Sequence, residues 1–426
     1  MSPSPVGPKP TRHTTIRQGP RPLALHLTNA TGAWLSSRAA LPLLKSGLLP
    51  WRPEFAVQGA ALSLALRAAR QNDRDANDSG DSAILAALDT ELMRRADAFL
   101  EGLERYRQHP YHRDLPDPPI LWREGTTRLL DYGPPDGVPV LVVPSLINRA
   151  YILDLAPGQS LLRFLVGRGL RVMLVDWDAP EAEERGFTLS DYITRRLEPA
   201  AEVAREEAGA VPIVIGYCMG GLLALALAQR RKQLVRALAL LATPWRFHAE
   251  RGEHARLLGV LAAPIAEAYA PLGEVPVDVL QALFAAQDPL LALRKFSRFA
   301  ELAQESAAAR GFVALEDWLN DGVPLAIEVA RECLGRWYGE DLPGRGEWRV
   351  AGEAIRPALI DQPSLVVVPA QDRIVPPATA AALADELPRA ERMNPHLGHI
   401  GMIVAREAPN AVWLPLASWL LGQRAT

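Results

Sequence analysis

The sequence predicts an α/β protein built on a mostly parallel, doubly wound sheet, and three features carry that prediction. Apolar runs of strand length recur along the chain, they alternate with helix-length segments, and one of them enters a Gly-rich turn at 216–221. Strands that are apolar throughout must be covered on both faces, and the helices between them supply the cover.

The runs follow in order. Residues 138–144 (VPVLVVP) form the first, and a helical stretch at 160–169 leads to the second at 171–177 (RVMLVDW). A helix-like segment at 189–208 precedes the third at 211–216 (VPIVIG), and a helix at 221–230 precedes the fourth at 237–243 (ALALLAT). From about 244 to 361 the β signal vanishes, and this helix-rich stretch sits where a lid or cap would be inserted. Alternation resumes with 364–370 (SLVVVPA), a helix at 379–387 and a short strand near 390–394. Upstream, Ile84, Leu88, Leu92, Ala96, Phe99, Leu103 and Tyr106 recur at threes and fours and share one helix face. The expected organisation is a disordered tail over 1–21 and a helical region over 22–108 with a polar linker near 71–82. A catalytic domain over 109–244 and 362–426 follows, with an inserted helical cap at 245–361.

Bulk composition narrows the function classes. A net charge of −3 over 426 residues gives no electrostatic reason to expect a nucleic-acid partner. Two cysteines imply no disulfide framework and fit a reducing, cytoplasmic setting. The Pro-rich, basic N-terminus has no apolar signal core, and the apolar stretch 33–50 is interrupted by Arg38, Pro42 and Lys45, so no transmembrane span is expected.

The chemistry centres on Gly216-Tyr217-Cys218-Met219-Gly220-Gly221. A G-x-nucleophile-x-G sequence between a strand and a helix is the nucleophile elbow of the α/β-hydrolase fold. The tight turn requires small neighbours two residues either side of the nucleophile, which Gly216 and Gly220 provide, and Gly221 lets the helix start close to the sheet. Cys218 then stands at the sheet's C-terminal edge over a helix N-terminus, where negative charge is stabilised. Cys333, in a mostly apolar helical segment, reads as a buried hydrophobe.

In this fold an acid and then a histidine follow the nucleophile along the chain. Asp372 stands just past a late apolar run. Only His396 and His399 follow it, and His399, in a loop between two glycines, is the expected base with His396 its rival. Their i, i+3 spacing lacks the Cys or carboxylate companions of a metal site, so no metal is expected. An oxyanion hole needs two backbone N–H groups, one from Met219 and one from the loop at 145–147.

Further motifs carry a resemblance: PSLINRAYILDL (144–155), VDWDAPEAEERGFTLSDYI (175–193), GYCMGG, QDRIVPP and GHIGMIV. In their order and spacing the chain resembles the polyhydroxyalkanoate synthases, most closely the shorter type that works with a second subunit. The resemblance covers roughly Tyr106 to the C-terminus. It implies an acyltransferase that takes 3-hydroxyacyl-CoA as substrate, binds no cofactor, and carries the growing polyester on a cysteine. Carried over by position, the nucleophile falls on Cys218, the acid on Asp372, the base on His399 and the second oxyanion donor near Ile147. Implied partners are a polyester granule surface and either a second synthase subunit or a homodimer. The chain departs from the family at Arg373, where the family usually has His, and at Ala150, where many members carry an aromatic. Two other readings stay open. One is a cysteine hydrolase, such as a polyester depolymerase, an acyl-CoA thioesterase or a dienelactone-hydrolase-like enzyme. The other is a non-catalytic granule-associated protein.

Overall fold

A computed structural model describes residues 17–72, 79–250 and 252–423. Eight strands form the central sheet: β1 (Ile120–Glu124), β2 (Thr127–Asp131), β3 (Val138–Val143), β4 (Leu170–Asp176), β5 (Ile213–Tyr217), β6 (Leu238–Leu241), β7 (Ser364–Val367) and β8 (Ala390–Met393). Their spatial order is β1-β2-β4-β3-β5-β6-β7-β8. β1 pairs antiparallel with β2, and β2 antiparallel with β4. Every later pairing is parallel. The parallel strands are the apolar runs read from the sequence, and Val140, Leu141, Val172, Val214, Ile213, Leu238 and Val366 are all buried.

The contacts divide the chain into two units: 112–280 with 321–426, and the residues up to 111 with 281–320. The first holds the sheet. The helix Met219–Arg230 lies in its core, its length from Met219 to Gln229 entirely buried. Part of the inserted stretch belongs here too, as helix Gly252–Tyr269 packs on the π-helix Arg331–Gly339.

The second unit is helical. Phe99, Leu103 and Tyr106, from the long helix Ser79–Gln108, bury themselves against Phe296, Phe299 and Val313. Phe299 stacks on Phe312 at 4.3 Å, and Tyr106 meets Phe296 edge-on at 5.5 Å. The single cap expected at 245–361 is thus shared between units, with 281–320 packing on the N-terminal helices. The aromatic face of Leu291–Ala300 is visible in the sequence, but the element that buries it lies about two hundred residues upstream, beyond the reach of local periodicity.

Two further expectations change. Short strand pairs do occur inside the inserted stretch, Glu274–Val275 with Leu325–Ala326 and Arg349–Val350 with Glu353–Ala354. The tail expected over 1–21 is ordered at its end: Arg17 donates to Asp317 at 2.7 Å, and the Arg21 N–H donates to Asn320 Oδ1 at 2.8 Å. Residues 1–16 of that tail and 73–78 of the expected linker lie outside the described residues, while helices Ala56–Asn72 and Ser79–Gln108 occupy the linker's margins.

Candidate active site

β5 ends at Tyr217, and the helix begins at Met219, so Cys218 alone makes the turn. It adopts φ 54° and ψ −126°, a conformation that costs a side-chain-bearing residue on the order of 1–3 kcal/mol. Two hydrogen bonds hold it there: the Cys218 N–H donates to the Leu241 carbonyl at 2.8 Å, and the Gly221 N–H donates to the Cys218 carbonyl at 3.0 Å. The flanking glycines are required by contact. A Cβ on Gly216 would lie 2.4 Å from Gly221 Cα, and one on Gly220 would lie 2.2 Å from the Val143 carbonyl oxygen. Any side chain at either place would push the helix off the sheet.

Asp372 lies past the end of β7 and His399 in the loop after β8. Their side chains meet at 2.7 Å, Nδ1 to Oδ2, and both residues are nearly sealed, at 5% and 6% exposure. The other carboxylate oxygen accepts the N–H groups of Ile374 and Val375, each at 2.8 Å. With both its oxygens occupied, Asp372 fixes the imidazole's orientation and tautomer. Burial by itself lowers the basicity of His399. The negative charge of Cys218, its hydrogen bond to the ring and the Asp372 carboxylate outweigh that effect and hold the imidazole pKa at about 10.

His396, the rival base, is exposed and pairs with Gln371 at 2.8 Å, away from Asp372. Arg373 is exposed to solvent, while the N–H groups of Ile374 and Val375 after it hold the Asp372 carboxylate. Cys333 is buried, and burial, then the charges of Glu332 and Cys218, push its thiol well up. Among the described residues, no group of three or more His, Cys, Asp or Glu side chains is placed to hold a metal ion.

The two expected oxyanion donors differ. Met219 is the first residue of its helix, a position whose N–H has no intrahelical acceptor. The Ile147 N–H is engaged, donating to the Ser145 hydroxyl oxygen at 3.0 Å.

Two residues near the site escaped the sequence reading. The Tyr217 ring lies tilted beside the His399 ring, centroids 5.3 Å apart, and its hydroxyl donates to the His399 carbonyl at 3.3 Å. Its place beside the nucleophile in the elbow was the available signal. Tyr338, from the π-helix, packs against the same apolar core as Cys218, and its hydroxyl pKa is raised by burial first and then by the charges of Cys218, Cys333 and Asp372. Phe247 packs against it at 4.9 Å and against Trp337 at 5.9 Å, and Trp337 meets Trp348 at 5.3 Å. Together they form an aromatic wall. A π-helix is a frequent functional-site device that leaves no mark in side-chain periodicity.

Residues 138–405 match the family described as "alpha/beta hydrolase fold". The poly(3-hydroxyalkanoate) polymerase subunit PhaC of Haloferax mediterranei is 29% identical over 321 residues, covering 72% of this chain and 64% of that protein. The corresponding subunit of Haloarcula marismortui is 31% identical over 295 residues, covering 67% and 61%. That of Synechocystis sp. is 29% identical, covering 66% and 77%. The chain therefore spans somewhat over three fifths of the length of the first two. Among solved structures, a Paleococcus ferrophilus monoacylglycerol lipase covers 70% of the chain at 16% identity with a TM-score of 0.45. The family match spans strands β3 to β8, the elbow, Asp372 and His399, and the chain belongs to the α/β-hydrolase fold family, with poly(3-hydroxyalkanoate) polymerase subunits among its relatives.

Proposed function

We propose that the protein is an acyltransferase of the polyhydroxyalkanoate synthase kind, forming an acyl-Cys218 thioester from 3-hydroxyacyl-CoA and transferring it to a hydroxyl. The observation that carries this reading is a cysteine, in place of the usual serine, in an elbow served by the buried His399–Asp372 pair. Similarity to polymerase subunits supports it.

The Cys218 thiolate attacks the thioester carbonyl, and the CoA sulfur leaves with a proton from the His399 imidazolium. One thioester replaces another, so the acyl group stays activated for the next step. His399 then takes the proton of an incoming 3-hydroxyl as that oxygen attacks the acyl-Cys carbonyl, extending the ester chain and releasing Cys218. Asp372 keeps the imidazole aligned through both steps. The wall of Phe247, Trp337 and Tyr338 serves to keep water from the acyl-enzyme, which would otherwise hydrolyse. CoA enters only as part of the substrate, and no bound cofactor is required. The setting is cytoplasmic, at a polyester granule surface, with a second synthase subunit or a second copy of this chain as partner.

The test is to incubate purified protein with 3-hydroxybutyryl-CoA, measure CoA release and identify the acyl product. Polymer is the expected result. Free 3-hydroxybutyrate would replace the reading with that of a cysteine hydrolase, and no release would leave a non-catalytic protein.

A further inference from the structure

The engaged Ile147 N–H raises the question of what else could stabilise the oxyanion. Ser145 accepts that N–H through its hydroxyl oxygen, and its own hydroxyl proton has no acceptor among the described residues. A hydroxyl carries one proton to donate, and accepting a hydrogen bond strengthens it as a donor.

Its place is fixed from two directions. Val143 of β3 pairs in register with Gly216 of β5, so two residues further along each strand Ser145 and Cys218 leave the sheet edge side by side. Independently, the Pro144 carbonyl, adjoining Ser145, would lie 2.5 Å from a Cβ on Gly220 and accepts the Trp177 indole N–H at 3.1 Å. The strand end that carries Ser145 is therefore pinned against the first turn of the elbow helix.

We propose that the Ser145 hydroxyl, with the Met219 N–H, forms the oxyanion hole of this enzyme, and that the Ile147 N–H acts behind it by orienting Ser145. This deepens the acyl-transfer reading and rests on it for the identity of the substrate. When the Cys218 sulfur bonds to the carbonyl carbon, the C=O π pair moves onto oxygen. That oxygen accepts the Ser145 O–H and the Met219 N–H. The pair then returns, the bond to the leaving group breaks, and His399 protonates the departing sulfur.

The test uses two probes on the full chain. Acylation by p-nitrophenyl butyrate, read as the p-nitrophenol burst, forms the same oxyanion without requiring CoA. Alkylation of Cys218 by iodoacetamide displaces iodide and forms no oxyanion. Ser145→Ala is expected to slow acylation about a hundredfold while alkylation stays unchanged. Ser145→Thr, which keeps the hydroxyl, should recover most of the loss. An Ala variant that acylates as fast as the parent, or faster, would mean that Ser145 merely occupies the Ile147 N–H, and would overturn the proposal. Equal slowing of acylation and alkylation would also overturn it, since the defect would then lie in the nucleophile. If the parent is acylated by the ester but releases no CoA from 3-hydroxybutyryl-CoA, the substrate assignment fails and the Ser145 assignment stands on its own result. A parent that reacts with neither overturns both.

Discussion

The two flanks of Cys218 are built differently. On the proposed acid–base flank Asp372 has both oxygens occupied, His399 is sealed, and the Tyr217 ring lies beside the imidazole. On the oxyanion flank the chain turns through Asn148 at φ 65°, and Arg149 is held by Asp178 at 2.7 Å and Asp321 at 3.0 Å. Those three charged side chains are between 30% and 50% exposed. Ion pairs that open to water contribute little each, on the order of 1 kcal/mol or less. The proposed proton machinery is thus held by buried hydrogen bonds, whereas beyond the pinned Ser145 the segment carrying Asn148 and Arg149 is held on its outer side by exposed ion pairs.

The largest effects should come from Cys218 itself and then from the proposed acid–base flank. Cys218→Ala is expected to lower CoA release from 3-hydroxybutyryl-CoA by at least about 10⁴-fold, to the background of the uncatalysed exchange. Retained turnover would reject covalent catalysis on this side chain.

Asp372→Asn should cost about 10³-fold in acylation, because an amide can neither stabilise the imidazolium nor enforce its tautomer. It should also move the pH profile. His399 holds its proton up to about 10, so acylation, which needs the imidazolium to protonate the leaving sulfur, should persist to alkaline pH and fall through that value. Removing the Asp372 charge should shift that fall to lower pH. Stability follows the same sign. With a folded pKa above the ordinary 6.5, the ionised pair contributes fully below 6.5, and its contribution is lost as pH rises through about 10. Denaturation midpoints measured across that window should decline in the parent and less so in His399→Gln. A parent midpoint that rises toward pH 10 would refute the protonated pair.

How much of this was legible beforehand follows the same division. The elbow and the residues proposed as acid and base are each tied to a strand end, and strand ends are announced by apolar runs and glycines. Cys218, Asp372 and His399 were therefore locatable one at a time, although only the fold could show His399 and Asp372 2.7 Å apart and His396 turned away to Gln371. The state of the Ile147 N–H was not legible, since it depends on one rotamer of Ser145 two residues back. The ownership of 281–320 was hidden for a related reason. Amphipathic faces advertise that they will be buried, not which distant partner buries them.

The oxyanion flank should yield the smallest effect and sharpen the contrast most. Arg149→Ala removes both the Asp178 and the Asp321 contacts and leaves those carboxylates to water, which their exposure permits. Global stability should change by less than about 1 kcal/mol. The segment from Ile147 to Asn148, whose Ile147 N–H orients the Ser145 hydroxyl, would lose its lateral support, so acylation should slow by about three- to tenfold through looser placement of that hydroxyl. Iodoacetamide alkylation of Cys218, which depends on the other flank alone, should be unaltered. A variant whose alkylation falls together with its acylation would show that the two flanks are coupled, and the division drawn between them would not hold.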